Sequence, residues 1–350
     1  PLLGYVALKN VVVASAMAIA LMAPSVQAAD LETDRDLGLF VSGVVDKWVG
    51  VQFIESDVID VDAEDFEESG EFELSVFSQD DTVLATGGEG LLSLPLGDNI
   101  SMQSDVKYEY NSTAFGSDDP DVFGPRYHYQ GTVHFSWRDP STGLFGVFGG
   151  AGGADFQSLD HDVHFVGGEA QFYLENVTLY AQGGYVGFNP DFGFSTFQFN
   201  DNVSAGFSGL DDGVFARGVV RWFPTADSRL QLEGTYVKAD YAISDLGDME
   251  AFSVKARYDF VLGAMPIVVD LPVFVAYRGT FRDNCTVVSL NDEKTSGDVD
   301  DHTVMVGTSY SFSVDRLTVD RQGATLGTPD FNHSCAGSVF DVNVFNPEES

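Results

Sequence analysis

A two-residue alternation of polar and apolar side chains runs through this sequence in stretches of ten or more residues. The stretch RYHYQGTVHFSWRD, residues 126–139, is typical. Every second residue from Tyr127 to Trp137 is aromatic, apolar or small, and the residues between them, from His128 to Arg138, are all polar. Successive side chains of a strand point to opposite faces, so the pattern predicts a strand with one apolar and one polar face.

Roughly twelve segments share this alternation, and each of them predicts a strand. Their approximate bounds are 38–54, 82–94, 99–111, 126–138, 143–154, 162–175, 177–188, 212–223, 229–240, 249–261, 267–282 and 301–314. Typical strands of soluble proteins have about 5–6 residues, whereas a tilted membrane-spanning strand needs about 9–11. The lengths therefore favour strands that cross a membrane.

The predicted connections alternate between long and short. The long ones are 55–81, 112–125, 155–161, 189–211, 241–248 and 283–300, and the short ones are 95–98, 139–143, 176, 224–228 and 262–266. Short turns on one rim and long loops on the other are typical of outer-membrane barrels. This arrangement gives an even strand count with both termini on the periplasmic side.

The polar face carries charged side chains in strand after strand, while the apolar face carries Tyr, Trp and Phe, often near strand ends. Lipid outside and water inside explain both observations. Since backbone groups in lipid must all be paired, the sheet must close into a barrel. We predict an all-β fold, a closed antiparallel up-and-down transmembrane β-barrel of about 12 strands. A secreted soluble β-protein is the alternative. The candidate pore-lining residues are Glu89, Asp105, Lys107, Glu109, His134, Arg138, Arg217, Arg221, Lys255, Arg257 and Arg278.

The N-terminal region predicts export. Lys9 precedes an apolar run over residues 11–23, which is shorter than the about 20 residues of a membrane-spanning helix. Val26 and Ala28 form the small-x-small pattern of a signal-peptide cleavage site. We expect a signal peptide at 1–28, a barrel at 29–314 and a periplasmic tail at 315–350, with the bacterial outer membrane as the location. The alternatives for the first segment are a membrane anchor or a buried helix.

Charge restricts the partners of this chain. It has 17 Lys and Arg against 54 Asp and Glu, a net charge of −37, which argues against nucleic acid as a partner. The acids concentrate in predicted long loops such as 55–69 and 291–301. Solvated, self-repelling loops are the first interpretation. The second is binding of divalent cations that bridge to lipopolysaccharide, so the expected partners include outer-membrane lipids and lipopolysaccharide. No motif indicates a cofactor or a metal.

The charges expected to line the lumen have two interpretations. Acidic residues occupy the second and third predicted strands, and basic residues occupy the eighth, tenth and eleventh. In an open lumen this arrangement orients polar solutes and sets ion selectivity, whereas in a narrow one the same residues pair and fill the barrel. A barrel of about twelve strands lies between filled eight-stranded barrels and open 16–18-stranded ones.

Catalysis is the competing class of function. Some outer-membrane barrels are lipid hydrolases, and the candidate pairs are His134 with Ser136 and His333 with Ser334. A catalytic pair needs hydrogen-bond reach and a third group that orients it. His134 and Ser136 lie two residues apart on one strand and are expected to face the lumen rather than lipid, which favours lumen-lining polar residues. We therefore expect no enzymatic activity.

The two cysteines test the topology. Cys285 lies in a predicted outer loop and Cys335 in the predicted periplasmic tail. With these placements the membrane separates them and they cannot form a disulfide. A Cys285–Cys335 bond would require that the tail run up through the lumen.

The phrases GLFGVFGGAGG, VGGEAQFYLENVTLYAQGGYVG and RQGATLGTPDF, together with the export signal, resemble the porin-like outer-membrane β-barrels of alphaproteobacteria. The resemblance covers nearly the whole mature chain and is specific for architecture, because no catalytic or binding motif comes with it. From the barrel and its lumen charges we predict a channel for passive diffusion of small polar or charged solutes or ions. The alternative is a closed structural or adhesive barrel. Such barrels often end on an aromatic residue of the last strand, and the tail after residue 314 departs from that pattern. Ion selectivity and oligomeric state stay open.

Overall fold

The computed structural model describes residues 41–57, 81–112, 127–156, 159–188, 195–200, 203–207, 210–241, 247–262, 271–288, 294–311, 316–329 and 331. The strands are β1 Ser42–Asp57, β2 Asp81–Pro95, β3 Ile100–Ser112, β4 Tyr127–Asp139, β5 Gly143–Phe156, β6 Leu159–Leu174, β7 Val177–Phe188, β8 Ser195–Asn200, β9 Val203–Phe207, β10 Leu210–Thr225, β11 Ser228–Tyr241, β12 Asp248–Leu262, β13 Leu271–Val288 and β14 Lys294–Ser311. One helix, α1 Arg316–Gln322, follows the last strand. Among these residues no helix is long and apolar enough to cross a membrane.

Twelve of the strands form a closed antiparallel ring. Each barrel strand pairs with the barrel strand next to it in sequence, and β14 closes the ring by pairing with β1 from Val44↔Ser311 to Asp57↔Asp298. The short hairpin of β8 and β9 lies outside the ring and pairs with the end of β13. Because every barrel strand has two partners, no barrel strand has an edge of unpaired backbone groups exposed to lipid.

The two faces of the strands point as the alternation predicts. On β4 the six polar residues from His128 to Arg138 are all buried, with His134 at 0% exposure, whereas Phe135 is 49% exposed. The same division recurs on β10, where Arg217 and Arg221 are buried and Val220 and Trp222 are exposed. An apolar exterior around a closed sheet is the arrangement that lipid requires. The fold is a transmembrane β-barrel, as the sequence predicts.

The expected alternation of long and short connections holds only in part. The connection between β5 and β6, expected over residues 155–161, is reduced to residues 157 and 158. The one expected over 283–300 is also short, because β13 and β14 extend to Val288 and from Lys294. Barrel strands can extend past the membrane surface. The polar and acidic residues at these strand ends therefore pair as strands rather than form a loop. The long connections expected over 55–81 and 112–125 fall largely on residues 58–80 and 113–126, which lie outside the described residues.

The tail is the largest departure from expectation. Residues 316–329 and 331, called here the lumen segment, lie inside the barrel and not in the periplasm. Helix α1 is near the short-turn rim, where Leu317 N donates to Ala226 O at 3.2 Å. The chain then passes Arg138 and Gln103 and brings Phe331 between Phe165 and Phe215, with ring centroids 4.8 and 4.9 Å away. The physical reason is that the polar inner wall satisfies the backbone groups of a segment that has no strand or helix partner of its own.

The course of the lumen segment bears on whether the two cysteines can form a disulfide. Cys285, near the end of β13 at the rim opposite the short turns, is disulfide-bonded. Cys335 is the only other cysteine in the sequence and lies outside the described residues. We therefore expect the bond to join Cys285 to Cys335, the pairing that requires a tail running up the lumen. The barrel topology is unaffected.

One part of the interior is apolar, which the sequence analysis did not anticipate. Phe148, Phe165 and Phe215 point inward toward the rim with the longer connections, and they cluster with Val237, Met249 and Phe331. Glycines make room for the rings, because a Cβ at Gly150 would collide with the ring of Phe165, and one at Gly167 would lie 2.8 Å from Phe148 Cζ. The barrel thus has a small hydrophobic core above its polar interior.

Candidate functional site in the barrel lumen

Arginines of the wall bind backbone carbonyls of the lumen segment. Arg138 donates to Gly323 O at 2.6 Å, and Arg217 donates to Gly327 O at 2.7 Å. Arg221 donates to Thr325 O at 2.9 Å and also contacts Asp320 at 2.8 Å. Hydrogen bonds to a charged donor are stronger than neutral ones. These three pore-lining candidates therefore hold the segment against one side of the wall.

Neutral side chains complete this binding surface. Gln103 Oε1 accepts hydrogen bonds from the backbone N–H groups of Thr325 and Leu326, both at 3.0 Å. Gln130 donates to Pro329 O at 2.7 Å, and Ser42 Oγ accepts from Ala324 N at 2.6 Å. None of these three was selected from sequence, because neutral polar residues on an inner face carry no charge pattern to single them out. Their burial inside the lumen is the only available signal.

His134 lies between two carboxylates. Its Nε2 is 2.8 Å from Asp105 Oδ1 and its Nδ1 is 3.0 Å from Glu169 Oε1. This geometry fits an imidazolium, which has two donors. Tyr180 donates to Glu169 at 2.7 Å, and Thr328 of the lumen segment donates to Asp105. The histidine therefore connects β3, β4 and β6 and extends the network to the segment.

Ion pairs also cross the lumen between strands that are not neighbours. Arg278 on β13 contacts Glu109 on β3 at 2.8 Å, and Arg257 on β12 contacts Asp46 on β1. Arg257 also pairs at 2.7 Å with Asp259. Of the two interpretations of the lumen charges, these contacts match pairing across a narrow lumen.

A cavity of about 110 Å³ remains beside the lumen segment. It is bounded by β1–β3, by β10–β14 and by the segment itself. Eight of the eleven pore-lining candidates line it, namely Glu89, Lys107, Glu109, Arg217, Arg221, Lys255, Arg257 and Arg278. Of the other three, Asp105 and Arg138 contact the segment itself, and His134 is hydrogen-bonded to Asp105. A water site needs roughly 10–15 Å³ of such volume, so the cavity holds several waters or one small solute.

No protein-family model matches the chain, and no curated protein matches it. Among solved structures, an outer-membrane channel from Pseudomonas putida F1 is similar at 9% identity and a TM-score of 0.38, covering 75% of this chain and 95% of that one. A Pseudomonas aeruginosa FadL homologue shows 11% identity, coverage of 78% and 90%, and a TM-score of 0.40. The outer-membrane protease OmpT from Escherichia coli shows 10% identity, coverage of 77% and 96%, and a TM-score of 0.28. Values this low carry no conclusion about activity.

The architecture itself defines the class of protein. A closed antiparallel barrel with an even number of strands, an apolar outer face and a polar interior is the construction of bacterial outer-membrane proteins. The barrel strands are 12 to 18 residues long, which exceeds the about 9–11 residues that a tilted strand needs to cross. The protein is a β-barrel of the bacterial outer membrane.

Proposed function

We propose that the protein is an outer-membrane channel for small polar or charged solutes, closed in this conformation by its own lumen segment. One observation carries the proposal. The wall of a twelve-stranded barrel encloses more space than its side chains fill, and a separate piece of chain, residues 316–329 and 331, occupies the surplus. Eight-stranded barrels are filled by side chains alone. Displacement of the segment would leave a water-filled path lined by charged groups.

The contacts of the segment support a closure that can open. Arg138, Arg217 and Gln130 bind it through backbone carbonyls, and water can take over such hydrogen bonds when the segment leaves. Net contributions of single hydrogen bonds of this kind are about 0.5–1.5 kcal/mol, or 1.5–3 for charged donors. The resemblance to the porin-like barrels of alphaproteobacteria belongs to this proposal, as does passive diffusion as the mode of transport.

The test displaces the segment without altering the wall. Leu326 is fully buried with Leu144, Tyr180 and Val219, and Phe331 lies in the apolar cluster. In the variant Leu326→Asp/Phe331→Asp both apolar contacts are replaced by buried charges, so the segment should leave the lumen. We expect single-channel currents in planar bilayers to show larger and longer openings than those of the unmodified chain.

The matched control is Gln322→Asp, which adds a negative charge to the same segment at an exposed position of α1. It should conduct like the unmodified chain. Trypsin cleavage after Arg316 and Arg321 reports displacement in the folded barrel. A double variant that trypsin cleaves there, but that carries no current, would contradict the channel.

A closed structural or adhesive barrel is the second candidate. The observation that favours it is the packing of Phe331 against Phe165 and Phe215, which resembles a permanent core more than a removable closure. This candidate predicts that both aspartate substitutions destabilise the barrel and produce no current.

We also propose that the chain is not an enzyme. Ser136 Oγ is 2.8 Å from Ser101 Oγ, and both ring nitrogens of His134 face carboxylates. Neither nitrogen is left to activate a serine, which disfavours this pair as a catalytic centre. The pair of His333 and Ser334 lies outside the described residues. Replacement of Ser136 should leave any lipid hydrolysis at background.

The proposed partners are outer-membrane lipids and lipopolysaccharide, together with small solutes or ions. Divalent cations are proposed at the acidic loops, whose central residues lie outside the described part of the chain. No nucleic acid and no cofactor is part of the proposal.

A further inference from the structure

The cavity beside the lumen segment has a lining of opposite charge to the whole chain. The chain has 17 basic and 54 acidic residues, yet eight basic and only five acidic residues line the cavity. Nearly half of all Lys and Arg therefore face one small space, which carries an excess of positive charge. A low-dielectric wall around such a space concentrates its field and attracts anions.

Most charges of the lining already have partners. Arg217 contacts Glu233 at 2.7 Å, and the ion pairs of Arg278 with Glu109 and of Arg257 with Asp46 are described above. Within the described residues, Lys255 and Glu89 make neither a hydrogen bond nor an ion pair. Lys255 thus presents an ammonium group to the cavity without an ion pair at contact distance, although the carboxylates of Glu233 and Glu89 act on it electrostatically.

The strand register places a second cation beside this ammonium. Lys255 on β12 is directly opposite Arg278 on β13, and both line the cavity. Like charges directly opposite each other in a sheet are destabilising. Glu109 compensates Arg278 from across the lumen, and Glu233, opposite Lys255 on β11, is in contact with Arg217. A negative group between Lys255 and Arg278 would remove the remaining repulsion.

We infer that the cavity binds a small oxyanion, a carboxylate or a phosphate, through the ammonium of Lys255 with the guanidinium of Arg278 beside it. A volume of about 110 Å³ admits inorganic phosphate or a short carboxylate. Glu89 faces the same space and limits the affinity by repulsion. The inference rests on the proposed channel in one respect, because it names the class of solute that the channel passes.

Binding is measured on the full chain folded in detergent, by titration calorimetry with inorganic phosphate and, separately, with acetate. Loss of one charge-assisted contact is worth about 1.4 kcal/mol, a factor of ten in affinity. Lys255→Gln should therefore weaken binding about tenfold. Glu89→Gln should tighten it severalfold, because the repulsive carboxylate is lost. Lys47→Gln removes the same charge from an exposed position on the outer face of β1 and should change nothing.

The opposite signs expected for Lys255→Gln and Glu89→Gln separate a specific site from general destabilisation, which would weaken binding in both. Binding of both probes supports the oxyanion class, and binding of phosphate alone narrows it to phosphate. No binding to a protein shown to be folded, or equal binding by all three variants, would overturn the inference. Since the closed protein is used, these results are independent of whether the Leu326→Asp/Phe331→Asp variant conducts.

Discussion

At the scale of single residues, His134 is a strongly constrained side chain of the lumen. It is fully buried between Asp105 and Glu169. Removal of one partner from a buried ion pair leaves an uncompensated charge and costs about 3–5 kcal/mol. We expect His134→Ala to lower the free energy of unfolding by that amount, measured by urea titration of the barrel in lipid vesicles.

Ser136→Ala is the natural comparison, since Ser136 lies two residues away on the same inner face of β4. It loses a single hydrogen bond, to Ser101 at 2.8 Å, and should cost about 1 kcal/mol. Equal costs for the two substitutions would mean that His134 is not an ionic centre of the lumen.

At the scale of elements, we expect the disulfide of Cys285 to join Cys335 and so to hold the chain that follows the lumen segment. A disulfide stabilises by restricting the unfolded chain, typically by about 2–4 kcal/mol. We expect Cys285→Ser to lower the free energy of unfolding by this amount and to increase trypsin cleavage after Arg321. Unfolding without reductant, followed by tryptophan fluorescence, measures the first effect.

Cys335→Ser breaks the same bond and should have the same effect, and the double variant should add nothing further. Additive effects of the two substitutions would show that the cysteines act separately and would contradict the pairing.

The strands and the lumen segment differ in how much of them the sequence predicts. A strand such as β4 can be predicted from its alternation, because the face toward lipid carries apolar side chains and the face toward water carries polar ones. The segment around Leu326 has no period, and it binds the wall largely through its own backbone carbonyls and N–H groups, which are the same in every residue. Charged inner residues such as Arg217 were therefore found, whereas the groups that they bind, and the neutral Gln103, could not be.

At the scale of the whole molecule, charge is sorted by position. The chain has a net charge of −37, with many of its acids in the predicted long loops, while basic residues of the barrel wall concentrate in the lumen and pair there at contact distance. Salt screens exposed charges far more than buried pairs. Self-repulsion of a highly charged surface destabilises the compact state. Added salt should thus weaken the repulsion between solvent-exposed acidic residues and leave the ion pairs of the lumen intact.

We accordingly expect the urea midpoint of the folded barrel to rise between low and high sodium chloride. A falling midpoint would mean that salt reaches the ion pairs of the lumen, and that the lumen segment does not seal it in solution. Magnesium chloride at matched ionic strength separates screening from binding. An equal rise indicates screening alone, whereas a larger rise indicates that divalent cations bind the acidic loops, as cations bridging to lipopolysaccharide would require.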